Sequence, residues 1–586
     1  MDELVSTLDA QHNTRRGEKG HAEHTWSKDT EAKIVQLSFQ LVRNAPPAVM
    51  TAFDTLVEDL SKTNCTKYLL VLLKLTAQTR DIIAGKGEYS LFYNMLIVWY
   101  KHYPSVAKQL MKYTVLLHDY EGVPIHPYGS WKDVKYMVRA VQKTTTVPED
   151  RKAAFADSIQ RLVLDQIRAD DAAHAAGNTT QISLASRWVP RQGSSFNDQF
   201  SFLSEEYFSK YVGSAKKSTK KRTSMCKAKR KAKQDFRKLC SKLNRALDTV
   251  QIKQCGGRWA EIDPNTITSI TRRKQTAAFQ NLSKTHEQRS QDQDRIQCAI
   301  RYKEHISRAV SGDSTATIKG KRTSLYDMVR DALILTGGAT GGAEERSSMD
   351  ELNMQWKDNA SQNGNLGNLI AMCDVSGSMT CDNSTPLYNA IGLAIRIAEK
   401  SCLPGRILTF SEEPSWVNLD GHDDFCSQVR TLKEADWGGT TDFYKALRRI
   451  LDAICEAGLS REEVKNMAFV ILSDMQIDQA SPHGTGTVLQ GGIKDEYARA
   501  GMEMYGEPFD LPHIVFFNLR STDGFPVLTT ENNVSMISGY SPVLLNAFCD
   551  KGMDALSKYT PWSMLLESLE HPRYKLLAET TFTPVA

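Results

Sequence analysis

Between about Val35 and Leu335 the apolar positions recur with the period of a helix. Phe92, Met95, Leu96 and Trp99 fall at i, i+3, i+4 and i+7. Val106, Leu110, Tyr113 and Leu117 repeat the stripe after an interruption at Pro104. Phe155, Ile159, Leu162, Val163 and Ile167 mark another such face. Successive amphipathic helices with short polar joints predict a stacked, HEAT-like α-helical repeat array, inferred from pattern because no clean internal sequence repeat is present. Residues 1–30 are polar, with little periodicity, and read as a flexible N-terminal tail on which His21 and His24 are solvated.

The pattern changes after the small-residue stretch Gly-Gly-Ala-Thr-Gly-Gly at 337–342, which reads as a joint. Residues 369–373, 406–410, 467–472, 513–519 and 534–537 are short apolar strands. Leu387, Ile391, Ala394, Ile395 and Ala398 line one intervening helix, and Phe443, Leu447, Ile450, Leu451 and Ile454 another. Strands that are largely apolar and alternate with helices predict a parallel sheet covered on both faces. The expected organisation is the tail (1–30), an α-helical domain (31–345) and an α/β doubly wound domain (346–586). A chain of 586 residues is in any case too long for a single core.

Composition adds exclusions. A hydrophobic fraction of 41% and a charged fraction of 24% argue against a mainly disordered chain. There is no apolar run of about 18 residues, so no membrane span or membrane partner is expected. The start Met1-Asp2-Glu3-Leu4 lacks the basic, then apolar, pattern of a secretory leader. The cysteines number eleven, with none in a CxxC pair, which suggests neither a disulfide framework nor a zinc knuckle. These features predict a reducing, cytoplasmic setting. The net charge of +4 conceals a segment, 216–238, in which twelve Lys or Arg face one acid, Asp235, leaving the rest of the chain near −7. Such local density matters more for binding a polyanion than the total does.

In open α/β sheets ligands bind at the carboxyl ends of strands, near a topological switch point. The first predicted strand ends in Asp374-Val375-Ser376-Gly377-Ser378, and the third in Ser473-Asp474. A loop Gly-Gly-Thr-Thr-Asp at 438–442 precedes the helix containing Phe443. Hard oxygen donors on three loops, with few carboxylates and room for water, describe a Mg²⁺ or Mn²⁺ site. The order Asp-x-Ser-x-Ser, Thr, Asp resembles the metal-ion-dependent adhesion site of von Willebrand factor A domains. That resemblance implies Ser376, Ser378 and Thr441 as direct ligands, with Asp374 and Asp474 holding waters or hydroxyls. It also implies a coordination position open to an acidic residue of a protein partner. Thr440 competes with Thr441 for the third role, and Thr-Asp-Phe-x-x-Ala-Leu favours Thr441. A nucleophilic role for Ser376 is disfavoured, because no Gly-x-Ser-x-Gly elbow surrounds it.

Further segments resemble one family across roughly residues 50–580. They are Arg-Asp-Ile-Ile-Ala-Gly-Lys-Gly-Glu at 80–88, Tyr-Gly-Ser-Trp-Lys-Asp at 128–133, Leu-Ala-Ser-Arg-Trp-Val-Pro at 184–190, Leu-Thr-Phe-Ser at 408–411, Phe-Val-Ile-Leu-Ser-Asp-Met at 469–475, Val-Phe-Phe-Asn-Leu-Arg at 515–520 and Ser-Gly-Tyr-Ser at 538–541. Together they resemble the domain of unknown function 2828 family, itself similar to the Ro autoantigen, or TROVE, group. Gly-Arg-Trp-Ala-Glu-Ile-Asp at 257–263 is similar to a segment of that group. The resemblance implies a ring of helical repeats that binds single-stranded ends of small structured RNAs, joined to a von Willebrand factor A-like domain.

The residues supply candidates for that binding. Lys216, Lys217, Lys220, Lys221, Arg222, Lys229, Arg230 and Lys231 would neutralise phosphates, although Phe236 is the only aromatic in the run. The alternative readings of this run are a solvated linker and, at 216–222, a nuclear-localisation-like patch. Arg80, Lys86, Lys132 and Arg187 are candidates for an ordered RNA site; the competing reading pairs them with carbonyls or with acids such as Asp81 and Asp133. Tyr89, Tyr93, Trp99 and Trp131 are spaced more for packing than for stacking on bases. The expected function is a non-enzymatic RNA-binding scaffold with a metal-dependent protein-docking site. A metal-dependent adaptor without RNA and a Mg²⁺-dependent phosphate hydrolase are the alternatives, and an acid from a second copy at the metal leaves self-association open.

Overall fold

The computed structural model describes residues 14–17, 22–216, 221–283, 285, 287–337, 343–410, 413–435, 443–476, 492–549 and 558–584. Five helices lead the chain: Thr30–Gln40, Pro47–Lys62, Thr66–Arg80, Tyr89–His102 and Pro104–Val115. Phe92, Met95, Leu96 and Trp99 are buried, as their stripe requires. Pro104 opens its helix, at a position where a missing N–H breaks no intrahelical bond. That stripe ends sooner than its pattern suggests. Leu117 is exposed, because the helix stops at Val115 and the chain enters the hairpin His118–Tyr120/Val123–Ile125. Helices Lys132–Lys143, Glu149–Ala175, Asn197–Tyr207 and Lys221–Leu247 extend the array.

The reading of residues 1–30 as a solvated tail is corrected from residue 22 onward. Ala22–His24 pairs antiparallel with Thr14–Arg16, and His24 exchanges two backbone hydrogen bonds with Phe525 (2.9 and 3.1 Å). The Trp26 ring stands edge-on to Phe525 at 5.1 Å, and His24 is buried rather than solvated. Backbone pairing with Phe525, the Trp26 ring and Gln36, which bonds to Thr25 O and Ser27 N, hold this strap, and a test for periodicity registers none of these. His21 lies outside the described residues.

The second half is built on a six-stranded sheet: β1 (Leu369–Asp374), β2 (Arg406–Phe410), β3 (Ser415–Asn418), β4 (Ala468–Ser473), β5 (His513–Asn518) and β6 (Val534–Ser538). Their spatial order is β6-β5-β4-β1-β2-β3, and every neighbouring pair is parallel except β2–β3. Strand β3, four residues long and partly exposed, is the one that the hydrophobic pattern did not reveal. The chain runs outward from β1 to β2 and β3, then returns to β1's other side for β4, β5 and β6. The topological switch therefore lies between β1 and β4.

Alternate residues of β1 serve two cores. Leu369, Ala371 and Cys373 pack with Leu325, Met328, Val329, Leu352 and Trp356, together with the inner face of helix Cys381–Lys400. The helices flanking the small-residue joint, Leu325–Thr336 and Ala343–Ala360, thus side with the sheet in packing. Ile370 and Met372 belong to a core continuous with that of the N-terminal helices. The C-terminal helix Pro561–Leu569 and the 3-10 segment Pro572–Glu579 return to those helices, adding Leu565, Tyr574 and Leu577. Among the described residues no helix is long and apolar enough to cross a membrane.

Candidate metal centre and the placement of the basic residues

The switch point sets Asp374, at the end of β1, beside Ser473-Asp474, at the end of β4. Asp374 accepts from the Ser376 amide (2.9 Å) and from Ser473 Oγ (2.6 Å). Ser376 and Ser378 hydroxyls lie 3.0 Å apart, and Ser378 Oγ is 3.3 Å from Asp474 Oδ1. Asp374, Ser376 and Asp474 are fully buried, while Gly377 is exposed and Ser378 partly buried. Burial, followed by the neighbouring Asp474 charge, raises the Asp374 carboxyl to about 6. Arg520, just beyond β5, places Nε 3.3 Å from Asp474 Oδ2 and supplies positive charge.

The donor set fits a small hard cation. Adjacent ligands of an octahedral ion at roughly 2.1 Å stand about 3 Å apart, which is the spacing of the two serine hydroxyls. Two buried carboxylates sharing one site are costly; Arg520 offsets part of that cost, and a bound cation would offset more. Gln476 contributes its backbone N–H to Asp474 Oδ1, and its buried Oε1 has no hydrogen-bond partner among the described residues. Thr441 and the competing Thr440 lie outside the described residues. No group of three or more His, Cys, Asp or Glu side chains is poised to hold a metal among the described residues.

The backbone after this loop is strained. Asp382, Asn383 and Ser384 adopt left-handed conformations in succession (φ 48°, 56° and 60°), each unfavourable by about 1–2 kcal/mol for a residue with a Cβ. Asn44 of the helical half donates to Asp382 Oδ2 at 2.8 Å and braces the turn.

The basic candidates fall into three groups. Arg80 and Lys86 are corrected to interior tethers. The Arg80 guanidinium makes a bidentate pair with Asp133 (2.8 and 2.8 Å), and Tyr93 Oη and the Ser130 amide also donate to that carboxylate. Lys86 Nζ lies 2.8 and 3.0 Å from the carbonyls of Ser38 and Leu41 and 2.7 Å from Ser538 Oγ. Neither presents charge to solvent, because each sits at a junction between elements. Tyr93, Trp99 and Trp131 are likewise core residues, whereas Tyr89 is exposed.

On the basic helix Lys221–Leu247, Ala232, Phe236, Leu239 and Leu243 bury one face in the array. Phe236 is therefore unavailable for stacking. Lys229 pairs with Glu205 at 2.8 Å, Lys231 lies 4.6 Å from the Tyr211 ring centre, and Arg230 is exposed. Lys217 and Lys220 lie outside the described residues, as do the side chains of Lys216, Lys221 and Arg222.

Lys132 and Arg187 remain at the surface, exposed and half-buried respectively. Around them gather residues the sequence reading did not single out: Lys135, Tyr136, Arg139, Trp188, Arg191 and Phe196. The available signal was the helical spacing of Lys132, Lys135, Arg139 and Lys143, overshadowed by the denser run at 216–238.

Residues 368–572 match a family described as a domain of unknown function (DUF7788), a stretch that covers the sheet and the loops carrying Asp374 and Asp474. An uncharacterized protein, L728, of Acanthamoeba polyphaga mimivirus is 25% identical over 515 residues, spanning 85% of this chain and 79% of that protein.

Proposed function

We propose that this protein is a non-enzymatic scaffold. Its sheet half is a von Willebrand factor A-like domain whose metal-ion-dependent adhesion-type site docks an acidic side chain of a protein partner. The convergence of Asp374, Ser376, Ser378 and Asp474 at the switch point carries the reading. Mg²⁺ or Mn²⁺ would be held by Ser376, Ser378 and Thr441, with Asp374 and Asp474 anchoring hydroxyls and waters. When bound, the ion would supply a coordination position for a carboxylate. The test is thermal unfolding of the full chain with and without Mg²⁺ or Mn²⁺. A chelator-reversible rise in Tm is expected, absent in Ser378→Ala; unchanged Tm in the parent protein sinks the metal reading.

The helical half is read as a HEAT-like, TROVE-like array that holds single-stranded or small structured RNA. The exposed Arg230, Lys231, Arg237 and Lys238 favour this reading, since a cationic helix face releases counterions from a polyanion. Fluorescence anisotropy with a single-stranded RNA over a salt series is the test. Retention near physiological salt, weakened by changing these four residues to Gln, is expected. Loss of all binding at that salt would leave a metal-dependent adaptor.

A further inference from the structure

The helix Lys132–Lys143 carries Lys132, Lys135, Arg139 and Lys143 at intervals of three or four, so they share a face. At 1.5 Å per residue that face extends about 16 Å, enough to meet several consecutive nucleotides. Among the described residues Lys132, Lys135, Arg139, Arg187 and Arg191 enter no ion pair, in contrast to Lys229 and Lys233, which share Glu205, and Lys242, which pairs with Asp171. Burial, followed by the charges of Lys132, Arg191 and Arg139, lowers the Lys135 pKa, which identifies mutually repelling cations gathered in one place.

Aromatic rings interleave with these charges. Lys135 Nζ lies 5.1 Å from the Trp188 ring centre, and 5.5 Å from those of Tyr136 and Phe196. The Arg139 guanidinium stacks on Phe196 at 3.5 Å and is held there by donating to Ser195 O (2.8 Å) and Oγ (3.0 Å). Tyr136 meets Phe196 edge-on at 5.4 Å, and all three aromatic side chains are half-buried. A stacked guanidinium pinned by the Ser195 carbonyl and hydroxyl offers a flat platform, and half-buried rings offer edges and faces beside it. Phosphates match the cations, and unpaired bases match the platforms. A duplex hides its base faces; a lipid surface or an acidic peptide would engage the charge alone.

We propose that Lys135, Arg139 and Arg191, with Tyr136, Trp188 and Phe196, form a site for single-stranded nucleic acid that reads bases by stacking. This rests on the nucleic-acid reading of the helical half and gives it a location distinct from the basic helix.

The test uses the full chain with short fluorescent oligouridylate and oligodeoxythymidylate, an abasic strand of equal length, a duplex, and vesicles containing anionic lipid. Tighter binding of either single strand than of the abasic strand, by about tenfold or more, is expected. The Lys135→Gln/Arg139→Gln variant should erase that difference. Arg191→Glu, at an exposed position with no core contact to lose, should weaken single-strand binding about tenfold with unchanged Tm. If the parent protein binds none of these probes, the nucleic-acid reading falls and this site with it. If it binds single strands but all three substitutions leave affinity unchanged, this site is overturned while the reading stands on the basic helix. Equal binding of bases, abasic strand, duplex and vesicles, lost together on substitution, would reduce the patch to bare charge and overturn the stacking site.

Discussion

Lys86, in the helical half, reaches Ser538 Oγ at the end of β6 at 2.7 Å, while Ser538 Oγ lies 2.7 Å from the carbonyl of Ser38. The contact joins the loop after helix Thr66–Arg80 to the far edge strand of the sheet. Its neighbours act in the same place. Arg573 makes a bidentate pair with Asp81 (2.7 and 2.8 Å), and Arg43 pairs with Glu88. The Arg-Asp-x-x-x-Gly-Lys-Gly-Glu segment is thus a polar clasp between the two halves.

Replacing Arg573 by Ala leaves the Asp81 carboxylate buried without its cation. Loss of a partner from a buried pair costs about 3–5 kcal/mol. Chemical denaturation should show a destabilisation of that size. A change under about 1 kcal/mol would mean that the clasp does not hold the halves together.

Gly85 admits no side chain. A Cβ there would strike the backbone oxygen of Gln78 and crowd Asp81. Gly85→Ala should therefore destabilise by about 1–3 kcal/mol, as forced overpacking does, whereas Ala at the exposed Gly377, where a Cβ meets nothing within 4 Å, should be nearly neutral to stability. Equal effects at the two positions would contradict this account.

Two histidines make the fold acid-sensitive. Burial lowers both His24 and His513 to about 4, against an ordinary value of 6.5. In the unfolded chain both bind protons as pH falls through 6.5, while the folded chain keeps them neutral until about 4. Their stabilising contribution is complete above 6.5 and is lost as pH falls toward 4. Unfolding between these limits should take up about two protons from this pair, and His24→Phe should remove part of that uptake. Proton uptake unchanged in the variant would refute the assignment for His24.

Asp374 acts in the opposite sense. Its folded pKa of about 6 exceeds the ordinary 3.8, so stability falls as pH rises through that window and the penalty persists above it. In chelator at pH 8, Asp374→Asn should be more stable than the parent. In Mg²⁺ the order should narrow or reverse. A variant less stable than the parent in chelator would show that the carboxylate's hydrogen bonds outweigh its repulsion.

Much of this organisation was legible in residue patterns. Helical stripes located Phe92 to Trp99, and largely apolar runs located β1, β2, β4, β5 and β6, because burial on both faces leaves little polar alternation to confuse them. The carboxyl ends of β1 and β4 became candidates as soon as the strands were placed. What escaped was tertiary. The edge strand β3 is short and partly exposed, and the strap at residues 22–26 depends on Phe525, about five hundred positions away. Arg80 and Lys86 look like surface cations until Asp133 and Ser538 are brought to them. Conversely, the strongest charge signal drew attention to the basic helix and away from Lys135 and Arg139, whose aromatic neighbours come from a separate segment.

The return of residues 561–579 to the N-terminal helices has a consequence for biosynthesis. A ribosome emits the first helices long before Arg573, Tyr574 and Leu577 exist, so nascent Asp81 waits uncompensated while some five hundred residues are added. Completion of the early helices therefore waits for residues made some five hundred positions later, even though the helices themselves are made first. A nascent chain stalled before Arg573 would present that unfinished surface to chaperones.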